Sequence, residues 1–99
     1  MKTTIHSIRF DASDRLHDHI EEKIEKLDMV YDKIISADVY LRLDKSSDAS
    51  NKVAEVKINI PGKNLFARKK SSTFEDAVDA AIEALMKQLV RKKEKGTGG

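Results

Sequence analysis

The side chains best suited to chemistry stand in one short stretch, where histidines and carboxylates alternate. Asp14, His17, Asp18 and Glu21 are three or four residues apart, a spacing that brings side chains together on one helix face. His17 and His19 are only two residues apart, so they point to different faces and cannot share a metal ion. The same spacings occur in ordinary surface ion pairs. We therefore expect no metal site here.

Other arrangements that support catalysis are not apparent. The sequence shows no Ser-His-Asp set, no phosphate-binding loop and no glycine-rich dinucleotide turn. It has no cysteine, which excludes disulfides, thiolate catalysis and zinc-finger chemistry together. We expect a protein that is not an enzyme and needs no cofactor.

Positive charge is concentrated in two segments of the chain. Residues 1–62 hold ten basic and twelve acidic side chains, so they are nearly balanced. Residues 63–70 hold four basic side chains and no acidic one, and residues 86–99 hold five basic side chains against Glu94. Clustered cations form an electrostatic footprint for the phosphates of a nucleic acid. The cations of the two segments are Lys63, Arg68, Lys69, Lys70, Lys87, Arg91, Lys92, Lys93 and Lys95.

A purely structural interpretation of these cations stays open. Lys and Arg at the C-terminal end of a helix also interact favourably with the helix dipole. Tyr40 and Phe66 are predicted on one sheet face, where aromatic rings can stack on RNA bases but can equally shield the sheet. His6 is expected to be a strand residue without a further role. Charges and rings alone do not decide the function.

Length and composition indicate one small domain in the cytoplasm. The 99 residues fit a single domain, and only 5% of them are aromatic, so the core must consist of Ile, Leu, Val and Ala. Charged residues reach 36%, yet the net charge is only +2. No stretch resembles a signal peptide or reaches the length of a membrane span.

Two amphipathic helices are predicted from apolar residues spaced by three and four. The first covers about residues 14–31, with Asp11 and Ser13 as capping candidates. The second follows Ser72 and Thr73 and ends near Lys93, and Ser72 with Glu75 has capping-box spacing. Its apolar stripe consists of Phe74, Ala77, Val78, Ala81, Ile82, Leu85 and Leu89.

Four strands are predicted from alternating apolar and polar residues. Ala37, Val39, Leu41 and Leu43 face inward from the second strand, and Pro61-Gly62 has the order that a type II turn requires. A polar loop is predicted over residues 45–52. The strands cover residues 2–10, 35–44, 53–60 and 64–69.

These elements predict an α+β fold in the order βαβββα. The first two strands are expected to be parallel across a right-handed helical crossover, and the last three to form an antiparallel meander. Only one side of each strand is apolar, so both helices must pack on one face of this four-stranded mixed sheet. Residues 1–95 are expected to form the domain and residues 96–99 a flexible tail.

Both helical segments resemble those of a known protein family. In the first, Leu16, Lys23, Lys26, Leu27, Tyr31 and Ile34 match the family spacing. In the second, the matching residues are Ala77, Val78, Asp79, Ile82, Leu85, Gln88 and Leu89, followed by the basic run from Arg91. From about residue 3 to 95 the chain resembles the short form of the ribosome hibernation promoting factors. That family includes the ribosome-associated translation inhibitors and also carries the name sigma-54 modulation proteins.

The resemblance implies a fold similar to a double-stranded RNA-binding domain, and binding to the small ribosomal subunit and its rRNA. Such proteins occupy the channel of messenger and tRNA between head and body and hold the ribosome idle, often as a dimer. Carried over position by position, the implied RNA contacts are Lys23, Lys26, Lys87, Arg91, Lys93 and Lys95. Local charge alone adds Lys63, Arg68, Lys69, Lys70 and Lys92.

The sequence departs from the family pattern at two places in the second helix. Glu75 stands where an aromatic residue is common, and Ala84 replaces a basic residue three positions before Lys87. The dimerisation domain of the long form is missing, so we expect any pairing of ribosomes to need a second factor. We also expect a monomer without membrane contact. A rival hypothesis is a protein-interaction module that modulates a transcription factor through its exposed sheet face.

Overall fold

Four strands and two helices follow one another in the predicted order βαβββα. The computed structural model describes residues 1–45 and 49–97, apart from the side chains of residues 94–97. Part of the predicted polar loop, residues 46–48, therefore lies outside the described residues, as do Gly98 and Gly99 of the predicted tail. The elements are β1 (Lys2–Ser7), α1 (Asp14–Val30), β2 (Ser36–Leu43), β3 (Lys52–Ile60), β4 (Lys63–Ser71) and α2 (Phe74–Thr97).

The strands form one mixed sheet in the order β1-β2-β3-β4. β1 and β2 are parallel, and α1 connects them, because parallel neighbours need a long crossover. β2, β3 and β4 pair antiparallel. The predicted mixed sheet and its pairing are confirmed.

Both helices pack on one face of this sheet, as predicted. α1 contributes Leu16, Ile20, Ile24 and Leu27 to a buried cluster that also contains the apolar stripe of α2 and the inward residues of β2, β3 and β4. We call the opposite side of the sheet the open face. Its side chains stand at alternating positions, and the register places Tyr40, Glu55 and Arg68 side by side across it.

Several ends of elements differ from the sequence prediction. Leu43 was expected to face inward but is 51% exposed, because it is the last residue of β2. α2 continues to Thr97 instead of ending near Lys93, since Lys and Glu at positions 92–95 favour a helix. Residues 96 and 97 of the predicted tail are therefore helical. Among the described helices, none is long and apolar enough to cross a bilayer.

β1 ends at Ser7, three residues before the predicted end. The amide of Ile8 still donates to the carbonyl oxygen of Leu41, at 2.9 Å, but Arg9 turns the chain with a φ of 66°. This turn carries Phe10 out of the sheet and onto Phe74, with the two ring centroids 4.9 Å apart and nearly parallel. Phe10 therefore joins the start of α2 to the rest of the core.

The turn between β3 and β4 has the predicted type II character. Gly62 adopts a φ of +86°, which glycine accepts without strain at the third position of such a turn. The turn leaves Ile60 paired with Lys63, so it determines which residues of β4 face the helices.

Each helix begins at a hydroxyl side chain that accepts a backbone hydrogen bond. Ser13 Oγ accepts from the amide of Leu16 at 3.1 Å, as expected for an N-cap. At α2 the cap is Thr73, whose Oγ1 accepts from the amide of Asp76 at 3.1 Å. The predicted capping box of Ser72 and Glu75 is wrong, because the helix begins one residue later than that box requires.

Thr73→Ala is expected to lower the free energy of unfolding by about 1 kcal/mol, because one amide of the first turn loses its partner. Ser72→Ala is the matched control and should change it by only a few tenths of a kcal/mol, roughly the surface range. Urea denaturation of both variants measures the difference. If Ser72→Ala has the larger effect, the cap is assigned to the wrong residue.

Candidate nucleic-acid interface

A shallow groove between β4 and α2 brings together cations that are far apart in the sequence. Lys69 stands on the helix-covered side of β4, in register with the buried Ala54. Lys87 and Arg91 are four residues apart and lie on one side of α2, because that spacing is about one helical turn. We call this the β4–α2 groove, and its lining is Lys69, Ala80, Glu83, Ala84, Lys87, Gln88 and Arg91.

The small side chains of Ala80 and Ala84 leave the three cations of this groove accessible. Glu83 Oε1 lies 3.9 Å from Lys87 Nζ, but both side chains are largely exposed, so the pair neutralises Lys87 only weakly. Gln88 Nε2 donates to the backbone oxygen of Phe66 at 3.4 Å and ties α2 to β4. The groove therefore presents positive charge on a rigid frame.

A second group of cations lies on the other side of α2, near the end of α1. Lys92 and Lys93 line a pocket with Lys33, with the acidic Asp32 and with the apolar or aromatic residues Met29, Val30 and Tyr31. Lys93 Nζ donates to the backbone oxygen of Val30 at 3.5 Å, one of the last carbonyls of α1. This contact also satisfies a free helix end. We call Lys33, Lys92 and Lys93 the end cluster.

The two lysines of α1 that were predicted to contact RNA differ in how freely they can bind a phosphate. Lys23 is 27% exposed, and its Nζ lies 3.7 Å from Asp79 Oδ1, which also contacts His19 Nε2 at 2.7 Å. A phosphate at Lys23 must therefore compete with Asp79. Lys26 is exposed and forms no ion pair with any described residue, so it is free to contact an anion.

The remaining predicted cations of β4 do not join the groove. Arg68 and Lys70 point to the open face, where Arg68 Nε lies 3.6 Å from Glu55 and Lys70 Nζ 3.1 Å from Asp44. Alternation along the strand explains this division, because successive side chains point to opposite faces. Lys63 is exposed at the start of β4, and the side chain of Lys95 lies outside the described residues.

The carboxylates and histidines of α1 form no recognisable metal site. Within residues 1–45 and 49–97, no group of three or more His, Asp or Glu side chains is arranged to hold a metal ion. His6 does more than the sequence suggested, since its ring stacks on Tyr40 with centroids 4.6 Å apart. Sequence reasoning also missed Lys33, which only the fold brings beside α2.

The whole folded region matches one protein family. Residues 3–97 fit the family described as Sigma 54 modulation protein / S30EA ribosomal protein. The chain belongs to this family. Within the S30EA family, the chain is 30% identical to the ribosome hibernation promoting factor of Azotobacter vinelandii, over 96% of this chain and 85% of that protein. The suspected family is confirmed.

Solved structures similar to this S30EA chain share its fold. A ribosomal subunit interface protein from Coxiella burnetii superposes with a TM-score of 0.84 at 21% identity, covering 95% of this chain and 99% of that one. The N-terminal domain of Protein Y from Thermus thermophilus superposes with a TM-score of 0.74 at 26% identity, covering 91% and 93%. This chain therefore shares its fold with both of these proteins.

Proposed function

We propose that this chain is a cytoplasmic hibernation factor that binds the small ribosomal subunit in the channel of messenger and tRNA. Bound there, it inhibits translation and stabilises idle ribosomes. The observation that carries the proposal is the β4–α2 groove, in which Lys69, Lys87 and Arg91 converge from two elements. The names of its relatives support the same function, since they are described as hibernation factors and subunit interface proteins.

The cations on both sides of α2 suit the backbone of folded RNA. Lys and Arg neutralise phosphates and release counterions, which supplies affinity without reading a base sequence. Double-stranded RNA is recognised mainly by its shape and through its phosphates and 2′-hydroxyls. With the groove on one side of α2 and the end cluster on the other, the helix forms a ridge that can contact two RNA segments.

Occupying the channel is sufficient for inhibition. The proposed mechanism excludes messenger and tRNA sterically, so it requires neither catalysis nor a cofactor. The chain acts as a monomer in this proposal, and pairing of two ribosomes depends on a second factor.

A competition experiment tests the proposal. Labelled protein should bind vacant small subunits and should bind more weakly after messenger and P-site tRNA have been loaded, because the protein and these ligands would occupy the same channel. The coupling is reciprocal, so the protein should weaken tRNA binding by the same factor. Binding is measured by sedimentation, and translation of a reporter should fall with increasing protein.

Equal affinity for vacant and loaded subunits would exclude the channel as the site. The rival hypothesis, a module that modulates a transcription factor, predicts no co-sedimentation with ribosomes at any loading. Its sheet-face contact with a protein partner also predicts little dependence on salt, whereas phosphate contacts predict a steep one.

A further inference from the structure

The open face of the sheet carries aromatic and charged side chains that lie outside the β4–α2 groove and the end cluster. Neither α1 nor α2 covers it, since both pack on the other face, and its residues stand in cross-strand rows set by the register. One row joins His6, Tyr40, Glu55 and Arg68, and the next joins Thr4, Asp38, Lys57 and Phe66. Each of these rows therefore contains an aromatic, an acidic and a cationic side chain.

Two aromatic positions on this face differ in what covers them. Tyr40 is stacked on His6, with ring planes 9° apart, so its orientation is fixed and one side of its ring is occupied. Phe66 is 52% exposed, and among the described residues it has no aromatic partner. The two positions lie two strands apart and one row apart, which separates them by roughly 12 Å from the known strand spacing and rise per residue. Phe66 thus offers a free ring face beside a fixed aromatic pair.

Some cations of the open face are held by ion pairs, whereas others are not. Glu55 is 19% exposed and contacts the guanidinium groups of both Arg42 and Arg68, so two positive charges share one carboxylate. Lys57 forms no ion pair with any described residue. Five cations stand against the three acids Asp38, Asp44 and Glu55, which leaves an excess of two positive charges. The cations are Lys2, Arg42, Lys57, Arg68 and Lys70.

We propose that the open face binds single-stranded RNA, with bases stacked on Phe66 and the Tyr40 pair and with Arg68 and Lys57 at the phosphates. Aromatic platforms within a positive surface bind unpaired nucleotides without strong sequence preference. A protein partner fits less well, because the cores of protein interfaces are depleted of charged residues. This site is separate from the β4–α2 groove and does not depend on the ribosomal function.

The test is fluorescence anisotropy of a short fluorescein-labelled oligouridylate with the full chain at low salt. Phe66→Leu keeps an apolar side chain but removes the ring, and we expect affinity to fall roughly 5- to 100-fold. Phe66→Tyr keeps the ring and should bind like the parent protein. Phe66 is half-exposed, so all variants should melt at similar temperatures.

A matched pair of charge variants separates a local contact from a general effect of charge. Arg68→Gln and Arg15→Gln each remove one positive charge, the first on the open face and the second on the exposed side of α1. Arg68→Gln should weaken binding and make the slope of log affinity against log salt concentration less steep by about 0.7. Arg15→Gln should leave the affinity and this slope nearly unchanged. Equal effects of the two variants would overturn the proposal.

Amide chemical shifts give a measurement that does not depend on mutation. Titration with the oligouridylate should move the resonances of β2, β3 and β4 at Tyr40, Lys57, Phe66 and Arg68. Shifts confined to α2 and Lys69 would place the strand in the β4–α2 groove and overturn the proposal, as would the absence of binding at low salt. Failure of ribosome binding alone leaves this result unaffected, because the assay contains no ribosome.

Discussion

Replacing Lys69, Lys87 and Arg91 together with Glu is expected to weaken binding to the small ribosomal subunit by at least about 100-fold. Each hydrogen bond to a charged partner contributes about 1.5 to 3 kcal/mol, so the loss of three such contacts exceeds this factor. The slope of log affinity against log salt concentration should become less steep by about 2 to 3, since each phosphate contact contributes about 0.7 to 0.9. Sedimentation with small subunits at several salt concentrations measures both.

The control variant carries the same change of charge elsewhere. Replacing Lys2, Arg15 and Lys45 with Glu, three exposed residues outside the groove, also changes the net charge by six units, from +2 to −4. If the groove forms the contact, this control should lose much less affinity than the groove variant. Equal losses would mean that overall charge, and not the β4–α2 groove, determines binding.

Leu85→Ala is expected to lower the free energy of unfolding by roughly 2 to 5 kcal/mol, because it opens a cavity in the core. Leu85 is fully buried where α2 packs on the sheet, and it belongs to the hydrophobic core cluster. The loss would be a large fraction of the stability of a domain this small, which is about 5 to 15 kcal/mol for typical proteins. Thermal and urea unfolding measure it.

Glu83→Ala, two residues earlier on the exposed side of α2, provides the comparison. Its pair with Lys87 is largely solvated, so removing it should cost no more than about 0.5 kcal/mol. Similar melting temperatures for the two variants would contradict the assignment of the buried stripe of α2.

The sequence predicted the fold well because the two periods of its apolar residues are clear. Ile20, Ile24 and Leu27 follow the helical period, and Val56 and Ile58 follow the period of a strand, and the structure buries all five. The errors fall at the ends of elements. Ser72 and Thr73 are both good capping residues, and nothing in their own chemistry decides which of them the helix follows.

The candidate site was harder to predict, because it depends on contacts between distant residues. Clustering in the sequence suggested one patch over residues 63–70, but strand alternation sends Lys69 toward α2 and Arg68 toward Glu55. Lys23 meets Asp79 across the two helices, a contact that no local spacing reveals. Counting charges identified the segments that are rich in cations without showing which side each side chain occupies.

The position of β4 at the edge of the sheet has a consequence for self-association. Among the described residues, no strand lies beside its outer edge, and such an edge is a template for pairing with another copy of the chain. Natural proteins discourage that pairing with charged side chains, especially lysine, and β4 carries Lys63, Arg68, Lys69 and Lys70. These residues therefore help to keep the protein from aggregating, whatever they bind. Substituting them with uncharged residues removes this protection as well as any RNA contact, so charge reversal is the safer way to separate binding from solubility.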